Sequence, residues 1–267
     1  MGKLLLVGCG KMGGAMLEGW LARGVAASDV IVAEPAEALR PKRAGITSVA
    51  SSSDVKDTPD IVVLAVKPQS MDAVLPDLKR FADADKGAVF LSIAAGKTIR
   101  YFAGHLGASA KIVRAMPNTP AAVRRGITVA TASKGVSDAE KKRCHDLLEA
   151  VGQALWVDDE SLIDPVTALS GSGPAYVFLL VEAMAAAGAK LGLTPEMAMQ
   201  LARATVAGSG ELLRQSSEPA SQLRVNVTSP GGTTAAALNV LMADDGIQPV
   251  FDKALAAATR RSKELAG

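Results

Sequence analysis

Leu4-Leu5-Leu6-Val7-Gly8-Cys9-Gly10-Lys11-Met12-Gly13 decides how the first half of this chain is read. Lys3 to Val7 is a short, wholly apolar run after the charged start, of the kind that forms a parallel strand buried on both faces. Gly8, Gly10 and Gly13 follow at once, and a helical pattern then runs from about Met12 to Arg23, closed by Gly24. A G-x-G-x-x-G alone carries little weight. Placed between a strand and a helix, at the start of a βαβ unit, it marks a dinucleotide site. The glycines are needed because a pyrophosphate must come close to the backbone and rest on the helix N-terminus.

Reading outward, Val30 to Ala33 is the next strand and ends in Glu34, 34 − 8 = 26 residues after Gly8. An acidic residue there can bind the ribose hydroxyls of the adenosine. Its charge repels a 2′-phosphate, which argues for NADH, yet Arg40, Lys42 and Arg43 follow closely and could accommodate that phosphate. A solvated charge cluster fits these residues as well. Asp60 to Val66 reads as another buried strand, stopped by Lys67-Pro68, with Lys67 at the C-terminal edge where doubly wound sheets bind ligands. Ala88 to Ile93 repeats the plan and ends in Ala94-Ala95-Gly96, small enough to let a flat ring lie against the backbone. Lys111 to Ala115 follows, then Met116-Pro117-Asn118-Thr119-Pro120. Ile127 to Thr131 and Ala154 to Val157 read as two further strands. They flank a charged helix over about 137–151, whose Ser137-Asp138-Ala139-Glu140 start fits a capping box. Cys144 reads as a packed thiol on that helix and His145 as a surface imidazole. The expected fold is α/β, with a Rossmann-like doubly wound domain over residues 1–158.

Size and composition bound the rest. The 267 residues suit one large or two modest domains. No apolar run is read as long enough to span a bilayer, so the expectation is a soluble, cytosolic protein without a membrane partner. A net charge of +2 argues against nucleic acid as an obligate partner. The two cysteines, Cys9 and Cys144, have no metal or redox spacing, so no metal is expected, and nothing resembles a signal peptide.

After Trp156 the pattern turns helical and alanine-rich, giving an all-helical domain over 159–267. Ser170-Gly171-Ser172-Gly173-Pro174 is a break, and Pro174 suits the first turn of the helix that follows. Residues 175–191 are apolar nearly all round, so this helix must be buried on every side and subunit association is its natural completion. Thr194-Pro195 opens a helix to about Gln215, and a last one runs over about 247–265. Between them lies Asn226-Val227-Thr228-Ser229-Pro230-Gly231-Gly232-Thr233-Thr234, leading into Ala235 to Leu241. Thr233 and Thr234 stand where N-caps stand. A glycine turn feeding a helix aims unpaired N–H groups and the positive end of the dipole at one spot, which suits an anion. An ordinary capped turn fits the same residues.

Ser229 to Thr234 with the helix after it resembles the C-terminal signature of pyrroline-5-carboxylate reductases. Ala65-Val66-Lys67-Pro68, Ala94-Ala95-Gly96, Asn118-Thr119-Pro120 and Ser170 to Tyr176 are similar to further motifs of that family, so the likeness runs from Gly8 to about Asp244. It implies reduction of a cyclic imino acid to L-proline with NADPH or NADH, by hydride transfer to the imine carbon. The Thr234 hydroxyl would face the ring nitrogen, and the backbone of Gly232, Thr233 and Thr234, with Ser229, would hold the carboxylate. Gly8, Cys9, Gly10, Lys11, Met12, Gly13 and Glu34 would bind the cofactor. Val66, Lys67, Pro68, Ala94 and Ala95 would lie around its nicotinamide half, and Asn226 resembles a position that meets it. The C-terminal domain would associate into a homodimer or a higher homo-oligomer. Where many members carry a small polar residue this chain has Glu34, which bears on the family's tolerance of NADPH. Two other readings share parts of this plan. A β-hydroxyacid dehydrogenase resembles it in domain order but requires a lysine that residues 171–180 lack. A nucleotide-sensing protein without catalysis leaves the 229–234 turn unexplained.

Overall fold

A computed structural model describes residues 2–83 and 87–266. Its first strand, β1 (Leu4–Val7), is buried at every position. Leu4 and Leu6 face one core, with Met16 and Trp20 of α1 (Lys11–Ala22), while Leu5 and Val7 face a second core on the opposite side of the sheet. The strand is therefore apolar throughout because helices cover both faces. Gly8 has φ +92°, and a Cβ on Gly13 would sit 2.3 Å from the Gly8 carbonyl oxygen, so both glycines are required for α1 to leave β1 this tightly.

The chain continues through β2 (Val30–Ala33), β3 (Thr47–Val49) and β4 (Ile61–Leu64) to α2 (Met71–Ala82). β5 (Val89–Ser92), α3 (Ile99–Leu106) and β6 (Lys111–Met116) follow. The last part of the sheet region is β7 (Gly126–Ala132), α4 (Asp138–Leu148) and β8 (Gly152–Trp156). The sheet order is β3-β2-β1-β4-β5-β6-β7-β8. Each neighbouring pair is parallel except β6 with β7. The order reverses between β1 and β4, which makes their C-terminal ends the crevice where doubly wound sheets bind ligands. The expected Rossmann-like sheet is present. β3 was not anticipated, because it is short and partly exposed rather than an apolar run.

The Ser137–Glu140 capping box forms as expected. Cys144 is fully buried, and that burial pushes its thiol up to about 12. His145 is not a free surface imidazole: it is half-buried, and the Trp156 indole N–H donates to its Nδ1 at 3.3 Å.

The chain divides into two compact units, Met1–Gly171 with Ala258–Gly267, and Ser172–Ala257. α5 (Ile163–Val166) passes into α6 (Gly173–Lys190) through a π-turn over Thr167–Gly171. The Thr167 and Ser170 hydroxyls donate back to the carbonyls of Ile163 and Val166, so the expected break at Ser170 is a widened helical turn instead. The resulting stretch, Glu160–Lys190, is by length and composition apolar enough to cross a membrane, which corrects the expectation that no such run exists. The remaining helices are α7 (Pro195–Gln215), α8 (Ala220–Asn226), α9 (Thr233–Leu241) and α10 (Ile247–Ala266). Ala185 of α6 packs on Ala198 and Ala202 of α7. Ala185 is the one buried residue of α6, and Phe178, Leu179 and Leu180 stand exposed.

Candidate active site

A cleft of about 450 Å³ opens at the C-terminal ends of β1, β2 and β4, lined among others by Gly8, Gly10, Glu34, Ser51, Val66 and Lys67. Gly10 is informative. An added Cβ there would meet no protein atom within 4 Å, so packing within the chain does not require a glycine, whereas close approach of a pyrophosphate to the loop backbone would. Cys9, Lys11, Met12 and Gly13 complete the loop and the first turn of α1 without lining the cleft. The Cys9 thiol is buried, and that burial, with the nearby Glu34 and Glu18 charges, raises its pKa.

Glu34 sits at the end of β2 and is only 7% exposed. One carboxylate oxygen accepts the Cys9 N–H at 2.8 Å and the other accepts the Ala36 N–H at 2.9 Å. The side chain is thus fixed to the glycine loop, at the position where ribose hydroxyls are expected. Arg40 is turned away from phosphate duty: its Nε donates to the Glu34 carbonyl at 2.7 Å and its Nη2 to the Pro35 carbonyl at 2.9 Å. Arg40, Lys42 and Arg43 do not line the cleft, and among the described residues that do, Lys67 is the cation. The residues present fit the adenosine and pyrophosphate portions of a dinucleotide.

On the other side of β1, Val66 to Pro68 leave β4 and Ala94 and Ala95 leave the adjacent β5, side by side at the same sheet edge. Lys67 is the residue before the short turn Pro68–Ser70. Pro68, Ala94 and Ala95 lie outside the cleft lining. Asn118 is structural in part, since its Oδ1 accepts the Ile127 N–H at 2.9 Å. Sequence reasoning missed Ser51, Ser52, Ser70 and Asp77 on the cleft wall. Ser51 and Ser52 follow the unanticipated β3, and the Ser51-Ser52-Ser53 run was the signal available.

The second unit carries the 229–234 turn. The Gly232 N–H bonds the Ser229 carbonyl at 3.0 Å, Gly231 has φ +69°, and α9 begins directly after Gly232. The N-cap is therefore Gly232, and Thr233 and Thr234 are the first two helical residues. No side chain caps this end and no acid lies in its first turn, so no side chain of the helix start offsets its leading amides and dipole. Thr234 is half-buried and Ser229 exposed. Asn226 is bonded within its own surroundings: its Nδ2 donates to Glu218 at 3.1 Å and its Oδ1 accepts from Gln222 at 2.8 Å. No group of three metal-ligating side chains occurs among the described residues.

A family model described as pyrroline-5-carboxylate reductase dimerisation matches residues 160–265, and one described as NADP oxidoreductase coenzyme F420-dependent matches residues 3–96. A pyrroline-5-carboxylate reductase of Pseudomonas aeruginosa is 42% identical over 267 residues, covering 99% of this chain and 97% of the relative. The chain belongs to the pyrroline-5-carboxylate reductase family. The Mycobacterium leprae member is 40% identical, covering 99% of this chain and 97% of that one. Among solved structures, a reductase of this family from Coxiella burnetii superposes with a TM-score of 0.94 at 36% identity, covering 100% of this chain and 99% of that one. The Plasmodium falciparum pyrroline carboxylate reductase, solved with NADP bound, gives 0.82 at 32% identity, covering 99% and 98% of the two chains. This membership displaces the β-hydroxyacid dehydrogenase alternative. The segment matched by the dimerisation model also contains the apolar stretch Glu160–Lys190.

Proposed function

We propose that the protein reduces 1-pyrroline-5-carboxylate to L-proline with NADPH or NADH, as the last step of proline biosynthesis. It would act in the cytoplasm as a homodimer or higher homo-oligomer. The observation that carries this reading is the uncapped N-terminus of α9, with Thr234 in its first turn, inside a family-matched segment. On this reading residues 1–158 bind the cofactor, and 159–267 bind the substrate and associate the subunits. The nicotinamide supplies the hydride. The protein orients the imine and balances its charge, because a protonated imine is already electrophilic. The amides of Gly232, Thr233 and Thr234, with Ser229, hold the carboxylate, and the Thr234 hydroxyl holds the ring nitrogen. This division of labour requires no histidine. His105 and His145 are accordingly engaged elsewhere, with the Tyr101 carbonyl and the Trp156 indole.

Thr234 tests the reading. Its hydroxyl would bond a group that carries positive charge along the reaction path, a bond worth about 1.5–3 kcal/mol. Thr234→Ala should then lower kcat/KM for the imine roughly 10- to 150-fold. Because Gly232 and not Thr234 is the N-cap, the melting temperature should hold or rise slightly, alanine being the better helix former. Thr234→Val should match alanine, and Thr234→Ser should recover much of the rate. Unchanged turnover in the alanine variant would remove Thr234 from the site.

A further inference from the structure

Glu160 lies in the turn after β8 and joins two distant parts of the first unit. Its Oε1 accepts from Arg114 Nη1 at 2.8 Å and from the Ile99 N–H at 2.8 Å. Arg114 is in β6 and only 3% exposed, so its guanidinium charge is held out of water and needs a carboxylate beside it. Ile99 is the first residue of α3, and its amide is one of the groups a helix start leaves unpaired. The Thr98 hydroxyl accepts the Tyr101 N–H at 3.1 Å, so α3 begins on two acceptors, one local and one reaching back from Glu160.

Immediately before α3 is the loop that carries Ala94, Ala95 and Gly96 off β5. Gly96 has φ +72°, and a Cβ there would lie 3.1 Å from the Leu265 carbonyl oxygen and 3.3 Å from the Leu265 Cβ. The loop is therefore tied at one end to β5, pressed near its middle by the end of α10, and anchored at the other end by Glu160. In the order β2-β1-β4-β5, this loop stands three strand steps from Glu34, roughly 14 Å. A dinucleotide with its adenosine at β2 and its pyrophosphate over the glycine loop carries its other half across β4 and β5.

We propose that Glu160 is a positioning residue for hydride transfer: through Arg114 and the Ile99 amide it fixes the Ala94–Gly96 backbone on which the nicotinamide ring rests. It touches neither cofactor nor substrate. The proposal rests on the dinucleotide reading of the cleft, and its test separates the two.

The full-length protein is titrated by calorimetry with NADH and with ADP-ribose, which lacks the nicotinamide, and steady-state rates are measured alongside. In Glu160→Ala the ADP-ribose affinity should stay within about twofold of wild type, since Glu34 and the glycine loop are untouched. NADH should bind about 10-fold more weakly and kcat should fall on the order of 10- to 100-fold, the scale set by a misplacement of about 1 Å. Glu160→Gln keeps an oxygen for the Ile99 amide but not the charge beside Arg114, so it should recover only part of kcat. If the alanine variant does not fold, Glu160→Asp gives the same readout. It keeps the charge but is one methylene short of the Ile99 amide, and it should show the same loss for NADH with ADP-ribose spared. Equal weakening of both ligands would mean that the pair merely holds the fold, and unchanged kcat would mean that the loop needs no anchor; either overturns the proposal. Wild-type protein that binds neither ligand would remove the dinucleotide reading, and the proposal with it.

Discussion

Replacing Glu34 with serine should move the protein's cofactor preference toward NADPH. The carboxylate lies on the cleft wall and cannot swing away from a 2′-phosphate, because the Cys9 and Ala36 amides hold both of its oxygens. Two unit charges 4 Å apart repel by about 1 kcal/mol in water and about 4 kcal/mol at the effective dielectric of a protein surface. An open cleft lies between these limits, so the penalty on NADPH is about 1–3 kcal/mol, roughly 5- to 150-fold in affinity. Glu34→Ser also leaves two amides to water, at a stability cost of about 1–3 kcal/mol, but that cost is common to both cofactors and cancels in a ratio. The assay is kcat/KM for NADPH divided by kcat/KM for NADH. Wild type should favour NADH or discriminate little, and the ratio should rise roughly 5- to 150-fold in the serine variant. Arg40→Ala should leave the ratio nearly unchanged, since its guanidinium is spent on the Glu34 and Pro35 carbonyls. A wild type that already prefers NADPH by a wide margin, or a ratio that Glu34→Ser does not move, would refute the reasoning.

Two further outcomes follow from packing and charge. Ala186 is exposed on α6 within the matched dimerisation segment. Ala186→Glu should cost the assembly several kcal/mol if the site is dry in the oligomer, so sedimentation at low concentration should show smaller species. A variant that sediments as wild type would take Ala186 out of the interface. Glu140 is buried, which by itself raises its carboxyl, but bonds from Lys111 and Ser137 outweigh burial and hold it below its ordinary value of 4.5. A depressed folded value stabilises above the unfolded one and is lost as pH falls through the folded one. Glu140→Gln should therefore cost about 1 kcal/mol at neutral pH and progressively less below about pH 4, read from urea midpoints. A cost independent of pH would contradict this.

What the sequence revealed depended on whether the signal was local. β1, the glycine loop and α1 were legible because both faces of the strand are covered and the loop spacing is set by backbone contact. β3 was not, because Thr47-Ser48-Val49 is short and partly exposed at the sheet edge. With it went the Ser51–Ser52 wall, which Arg80 holds by donating to the carbonyls of Ser52 and Val55 at 3.0 and 2.7 Å. The N-cap at the 229–234 turn was misplaced onto the threonines. Hydroxyls favour such positions, but the positive φ of Gly231 and the Ser229–Gly232 bond had already closed the turn, and the helix starts after Gly232. The bond from Gln222 to Asn226 is a turn of α8 itself, whereas the bond from Asn226 to Glu218 depends on how α8 joins the segment before it. Nothing local in the sequence singles out Glu160. Its partners are 46 and 61 residues away, and no pattern in one sequence announces them.

The most direct test of the central claim is oxidation of NADH and of NADPH by the purified protein with 1-pyrroline-5-carboxylate, run against a 3-hydroxyacid assayed in the oxidative direction. The account predicts turnover of the imine, with NADH at least as effective as NADPH, and none of the hydroxyacid. No turnover of the imine with either cofactor would contradict it.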